Sequence, residues 1–442
     1  MLHHIVTGLI VSILMLVQFS EGYLSFRTLG IASIGLLVAL VATNSMLSRS
    51  SATNTSPRLT STAILILCVF AFHITHNLVS RTLDSGIKQA VILSMADIFI
   101  VLGITYFALL HRASDHLEKW FGLTIAIGGY SAANLLAYKI GIKSLAGSEE
   151  NIVAIGNLTA ERMLAPFSSG VNSFGSICSL GLCIALFTGH AAYRQKRGTM
   201  LLLCHLVIVV NLICIFLVQI RSALFAFLFA VLLLFLQERK KGADTNRTVS
   251  VILTWASAIM LVALPILFYD LAAVSIVDAI VPVKAYELIG RHSLDFSYLG
   301  GRALIWDSGW GLLQQGNVGL LGQGIEMRDS SLVLGDFLGS ELANRTSYHN
   351  GFMEFLIVYG LFASIIFVGM LGKTIASIKR SIIASQTEGE LKFNQFRLGI
   401  LAACITTSFL EAFSVSPYFW GSIICVAFIA PTPAQPTIVR RV

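Results

Sequence analysis

The chain has 442 residues, of which 56% are hydrophobic and only 12% charged, and its mean hydropathy is +0.81. Water-facing domains carry about a quarter charged residues, so this composition excludes a soluble enzyme, a disordered chain and a nucleic-acid binder. A net charge of +7 would otherwise suggest an anionic partner, but in a chain this apolar the placement of charge matters more than its sum.

A helix needs about 20 apolar residues to cross a bilayer. In chain order, apolar runs fall at 4–20, 28–47, 61–79, 90–110, 120–140, 170–190, 199–218, 221–237, 249–269, 350–372, 398–415 and 418–431. They predict an all-α polytopic membrane protein of about 12 transmembrane helices. The first run has no small-residue cleavage site before Glu21, so it reads as an uncleaved span and not as a signal peptide. The weakest breaks are at Gln219–Arg221 and at Ser416–Pro417.

Orientation follows from the basic residues. The even-numbered turns and the C-terminal tail, among them Arg49, Arg112, Arg194, Lys196, Arg197, Arg239, Lys240, Lys392 and Arg440, hold 18 of the 30 Lys and Arg but six of the 23 Asp and Glu. Basic short loops mark the cytoplasm, so both termini are expected there. The chain then divides into an N-terminal bundle of about five helices (1–140), an outer loop (141–169), helices six to nine (170–269), a long outer loop (270–349) and a C-terminal unit with its tail (350–442). An 80-residue connection without structure is uncommon, and the apolar–polar alternation at 273–290 and 302–315 predicts short helices lying on the membrane surface. No internal repeat, low-complexity tract or separate soluble domain is evident.

All seven cysteines fall inside predicted spans, where they read as small apolar packers; their spacing suggests neither a disulfide framework nor a metal site. The chain has no P-loop, no Gly-x-Ser-x-Gly elbow and no His-Glu-x-x-His, and the absence of Asp-x-Asp weakens a metal-dependent sugar-nucleotide reaction. Chemistry is therefore sought in the outer loops and among ionisable groups buried in spans: His73, His76, Asp97, His205, Arg221, Glu354 and Glu411. The histidines read as hydrogen-bonded packing residues, and Asp97 as a partner to a neighbouring span. Arg221 sits between two apolar runs at the outer surface, where its guanidinium meets a lipid phosphate or simply snorkels.

The long outer loop is the richest stretch. It holds Gly301-Arg302 through Trp306, then Gly319 to Gly324, and closes on Arg345, His349, Asn350 and Glu354. His349 is placed to serve as a general base, with Asn350 and Glu354 orienting it or a substrate hydroxyl. The competing reading is a helix start, with Asn350 as cap and Glu354 at the positive helix end.

These residues carry a resemblance. Tyr348 to Glu354 followed by Gly360 resembles the His-Asn, nine residues, Gly signature of the O-antigen ligase and polymerase family, with Ala363 where that family usually has Gly, Thr or Tyr. Three further stretches agree in order: Glu161 to Asn172 with its Arg162 and Pro166-Phe167, Arg221 to Leu224, and Gly301-Arg302 through Trp306 with Gly322 to Gly324 after it. The resemblance runs from about residue 160 to 415 and leaves the first five spans without a counterpart.

The resemblance implies a GT-C-like fold in the bacterial inner membrane with a periplasmic active site. It implies a glycan carried on undecaprenyl diphosphate as donor, and no metal, cofactor or nucleotide. Polymerases move a growing chain onto the next lipid-linked repeat unit; ligases move the finished polysaccharide to lipid A–core. By resemblance, Arg221 and Arg302 hold the diphosphate, His349 is the base or hydroxyl-orienting group, and Glu411 has a supporting catalytic role. Arg162, Arg328 and Arg345 guide anionic glycan or phosphate, or are solvated loop charges. Expected partners are the lipid-linked glycan, an acceptor glycan or lipid A–core and the bilayer, with a chain-length regulator left open and no nucleic acid. The sequence wording favours a polymerase slightly over a ligase. A lipid-linked oligosaccharide transporter is the third reading, since twelve spans with cytoplasmic ends suit one, but the polar candidates gather at the outer face and not at the midplane.

Overall fold

The computed structural model describes residues 2–18, 61–85, 87–110, 116–142, 152–155, 158–161, 163–168, 171–218 and 350–429, with isolated positions at 35–38, 223–231 and 306–322 and at Tyr348. Nine α-helices are followed among these residues: α1 (Leu2–Gln18), α2 (Ser61–Ser85), α3 (Ile87–Leu110), α4 (His116–Lys139), α5 (Val171–Arg194), α6 (Gly198–Val218), α7 (Gly351–Ala384), α8 (Glu388–Leu410) and α9 (Pro417–Phe428). Among the described residues, five stretches are long and apolar enough to cross a bilayer, at Ser61–Ser80, Leu117–Lys139, Ser173–Arg194, Gly198–Ile215 and Gly351–Ala384. The chain is a helical membrane protein. The nine helices coincide with nine of the twelve expected spans. The spans at 28–47, 221–237 and 249–269, and most of the 270–349 loop, lie outside the fully described residues.

Three local expectations are corrected. The all-α fold holds, but the outer loop at 141–169 contains a short hairpin: Ile152–Ile155 (β1) pairs antiparallel with Leu158–Glu161 (β2), Ile155 facing Leu158. Its sequence signal is Gly156-Asn157 between two short runs, a hairpin pattern. Helix α7 runs on past the expected end near 372 to Ala384, because Lys373, Lys379 and Arg380 are themselves good helix formers and no Gly or Pro interrupts residues 373–384. Helix α8 stops at Leu410, short of 415: Pro417 cannot continue it, and Ser416 begins α9 by accepting a hydrogen bond from the Tyr418 amide.

Two packed groups make up the core. Helices α4, α5 and α6 pack on one another and α1 lies along α4. Here buried Asn211 accepts from the Ser131 hydroxyl at 2.8 Å and donates to the Val207 carbonyl at 2.9 Å, so this amide does not face hydrocarbon alone. Helices α2, α3, α7 and α9 form the second group, with Phe70, His73, Tyr359, Phe367, Phe419 and Trp420 in ring contact at 5.1–6.0 Å. Helix α8 bridges the groups by packing on α5, α7 and α9. All seven cysteines are free thiols, six of them buried.

The alternating helix directions give the bundle two unlike ends. Arg194 bonds Glu388, Arg197 and His4 both meet Glu118, and Arg397 donates to the Val426 carbonyl, so the start of α1, the end of α9 and these basic turns share one end. The starts of α5, α7 and α9 lie at the other, where the described candidates Asn350, Glu354 and Glu411 fall.

Candidate functional site

Helix α7 begins with a backbone clamp. Asn350 is in extended conformation (φ −148°, ψ 108°) and its Oδ1 accepts from the amides of Phe352 and Met353 at 3.0 and 3.1 Å, which is how an Asn just before an apolar run caps a helix. Fully buried Glu354 reaches back past the cap, its Oε1 accepting from the Tyr348 amide at 3.1 Å. The carboxylate lies by the positive end of the helix and satisfies a donor that the helix cannot. The Tyr348 carbonyl in turn accepts from the Trp306 indole at 2.9 Å. Tyr348 is thus held at both backbone polar groups.

The end of α8 closes on the same turn. The Gly351 amide donates to the Glu411 carbonyl at 3.0 Å, and the Gly351 carbonyl accepts from the Ser414 hydroxyl at 2.7 Å. A Cβ on Gly351 would sit 2.6 Å from Ser414 Oγ, so a larger residue would push the two segments apart. Glu411, buried at the end of α8, is joined to the His-Asn turn through its own backbone although sixty residues separate them in sequence.

About two and a half helical turns further on, α7 breaks. Gly360 has φ +82° and ψ 178°, and the Leu320 carbonyl accepts from the freed Phe362 amide at 3.3 Å. Residues 319–322 therefore lie across the break as a strap. Gly322, also at positive φ, faces Gly360 so closely that a Cβ on either would overlap the other segment's backbone. Helix α2 secures the strap from outside: His76 Nε2 donates to the Leu321 carbonyl at 3.2 Å. Its neighbour Asn77 accepts from the Tyr359 hydroxyl at 2.7 Å and donates to His73 Nε2 at 3.2 Å.

Four stretches singled out in the sequence each have described residues anchored near this end. Tyr130 and Asn134 of α4 hold Phe167 by its carbonyl and amide, at 2.7 and 2.8 Å, and the Met163 amide donates to the Leu217 carbonyl at 3.0 Å. Ser179 of α5 donates to the Ala223 carbonyl. Trp306 holds Tyr348, and Gly322 meets Gly360. Of the predicted site residues, Asn350, Glu354 and Glu411 are brought together. Arg162, Arg221, Arg302, Arg328, Arg345 and His349 lie outside the described residues, His349 between the two pinned residues Tyr348 and Asn350. Among the described residues no group of three His, Cys, Asp or Glu could hold a metal ion. His76, read from sequence as a hydrogen-bonded packing residue, finds that bond in the strap, whereas nothing in the sequence points to Asn77 and Tyr359 beyond the polar pair His76-Asn77 in an apolar span.

Residues 206–368 match the family model described as O-antigen ligase. Over this stretch the chain is similar to that family. Comparison with curated proteins finds no match. The matched stretch runs from within α6 to within α7, so it contains Arg221, Arg302, the strap, His349, Asn350, Glu354 and Gly360. Arg162, Glu411 and helices α1–α5 fall outside it, yet α2 and α8 are the helices that hold its strap and its His-Asn turn.

Proposed function

We propose that this protein is a glycosyltransferase of the bacterial inner membrane that polymerises undecaprenyl diphosphate-linked repeat units at the periplasmic face, without a metal. The observation that carries this reading is the O-antigen ligase match, which takes in Arg221, Arg302 and His349 together with the clamped start of α7. A sugar hydroxyl of the acceptor attacks the anomeric carbon of the donor, and undecaprenyl diphosphate departs with the bonding electron pair. Negative charge grows on the leaving diphosphate, and the guanidinium groups of Arg221 and Arg302 are suited to neutralise it by paired hydrogen bonds. His349 takes the hydroxyl proton or orients the hydroxyl. Glu354 and Asn350 act through the backbone by fixing the residues on either side of the histidine, and Glu411 supports the same turn. Arg162 and Arg345 guide the anionic glycan to the site. The basic end of the bundle, with both termini, faces the cytoplasm.

The test uses purified protein in lipid, native undecaprenyl diphosphate-linked repeat units as sole glycan, and a chelator. A product ladder is expected from the wild type and none from His349→Ala or Arg302→Ala protein that remains folded. Full transfer by either variant overturns the mechanism. The description of the matched family itself favours a second reading, transfer to lipid A–core. If no ladder forms but added lipid A–core acquires glycan, the ligase reading replaces the first. No new glycosidic bond in either assay overturns both readings and favours the transporter.

A further inference from the structure

At the opposite end of the bundle a cavity of about 220 Å³ opens between the end of α5 and the start of α8. Its inner wall is aromatic, with Phe187, Phe393 and Phe396; Phe187 and Phe396 stand 5.2 Å apart edge to face. Its rim carries Arg194 and Lys392, both held by the largely exposed carboxylate of Glu388 at 2.6 and 3.0 Å. His190 lines the cavity one turn below Arg194, and neither of its buried ring nitrogens has a hydrogen-bond partner among the described residues.

The donor inventory shows what this arrangement can take. A guanidinium has five N–H donors and an ammonium three, and Glu388 engages one nitrogen of Arg194 and the single nitrogen of Lys392. The carboxylate therefore sets the direction of the two cations and leaves Arg194 further N–H donors, and one carboxylate against two cations leaves the rim a net positive charge. An anion entering beside Glu388 would meet preoriented donors from two helices and a histidine below. The apolar wall argues for an amphiphile: a free phosphate would use the rim and leave the aromatic rings in contact with water. The position suits one too, since α5 and α8 meet here at the end where basic side chains of membrane proteins gather against anionic headgroups.

We infer that this cavity binds an anionic phospholipid, its phosphate against Arg194, Lys392 and His190 and the start of an acyl chain against Phe187 and Phe396. The inference rests on the reading that this end of the bundle lies at the cytoplasmic leaflet, and it is independent of the chemistry at the other end. The full chain in detergent is titrated with phosphatidylglycerol, phosphatidylcholine or inorganic phosphate, and lipid retention is read by native mass spectrometry beside the thermal midpoint. Phosphatidylglycerol is expected to be retained and to raise the midpoint by several degrees, as mass action requires of a ligand that binds only the folded state. Phosphatidylcholine and phosphate should do neither. Lys392→Gln and His190→Leu should each weaken retention about tenfold, whereas Glu388→Gln, which removes the competing carboxylate, should strengthen it severalfold. The opposite responses of Lys392→Gln and Glu388→Gln separate recognition from general destabilisation. Equal retention of phosphatidylcholine, the same midpoint rise from phosphate alone, or unchanged phosphatidylglycerol binding by all three variants overturns the inference. Glycosyl transfer is not read, so this outcome and that of the function assay are distinguishable.

Discussion

At the site end, Tyr348, Gly351, Leu320 and Leu321 are held by hydrogen bonds to their backbone groups, several of them buried, and two glycines pack main chain to main chain. At the basic end, Arg194, Arg197, Glu118, Glu388 and Lys392 are held by side-chain ion pairs that are partly or largely exposed. The first kind of contact fixes where the chain runs and tolerates little change, because a lost partner leaves a buried polar group without a substitute. The second kind is screened by salt and replaceable by water. Substitutions at the two ends should therefore differ in size and in how they respond to salt and pH.

The largest effect is expected at the break in α7. Gly360→Ala forces a Cβ into the strap and places an L residue at φ +82°, which alone costs about 1–3 kcal/mol. Transfer activity should fall at least tenfold while helix content, read by circular dichroism, is kept, and protease should cut the strap near Leu320 sooner than in the wild type. Equal activity in Gly360→Ala would show that the strap is dispensable.

Glu354→Ala comes next. It leaves the buried Tyr348 amide without its acceptor, a loss of roughly 1–3 kcal/mol, and frees the chain just before His349. Glu354→Gln keeps an acceptor and should recover most of the stability. The deficit of the alanine variant should persist in about 1 M salt, since a buried contact is little screened. If salt removed it, the division between the two ends would be false.

A smaller effect is expected for His76→Leu, which removes the donor to the Leu321 carbonyl at the outer side of the strap. A three- to tenfold drop in transfer, partly restored by His76→Gln, would mark His76 as a positioning residue. A drop identical in both variants would instead point to loss of ring packing against Tyr359, 4.9 Å away.

What was legible in the sequence divides along physical lines. Spans such as 120–140 and 199–218 are read correctly because hydropathy averages over some twenty residues and needs no partner. The Asn350 cap is legible because its two acceptor contacts lie within three residues. The Gly322–Gly360 contact and the His76–Leu321 bond join residues 38 and 245 positions apart, and nothing local to either partner encodes the other. Glu411 was found only as an acidic residue in a late span. Its engagement with Gly351 depends on where α8 stops, and the run of apolar residues through Val415 hid that stop.

The smallest effect is expected at the basic end, where it also tests the comparison most directly. Arg194 and Lys392 hold the Glu388 carboxyl down from 4.5 to about 2. A carboxylate depressed in the folded state stabilises it fully above its ordinary range. That contribution shrinks as pH falls below 4.5 and is gone below about 2, where both states bind the proton. The pair is mostly exposed, so its worth is under about 1 kcal/mol. In detergent, Glu388→Gln should thus lower the thermal midpoint slightly and by a constant amount from pH 7 to 5. The gap from wild type should narrow as pH falls through 4 and 3, and about 1 M salt should close much of it at any pH. A gap insensitive to both would mean that Glu388 holds α5 to α8 by packing, and the two ends of the bundle would then be built alike.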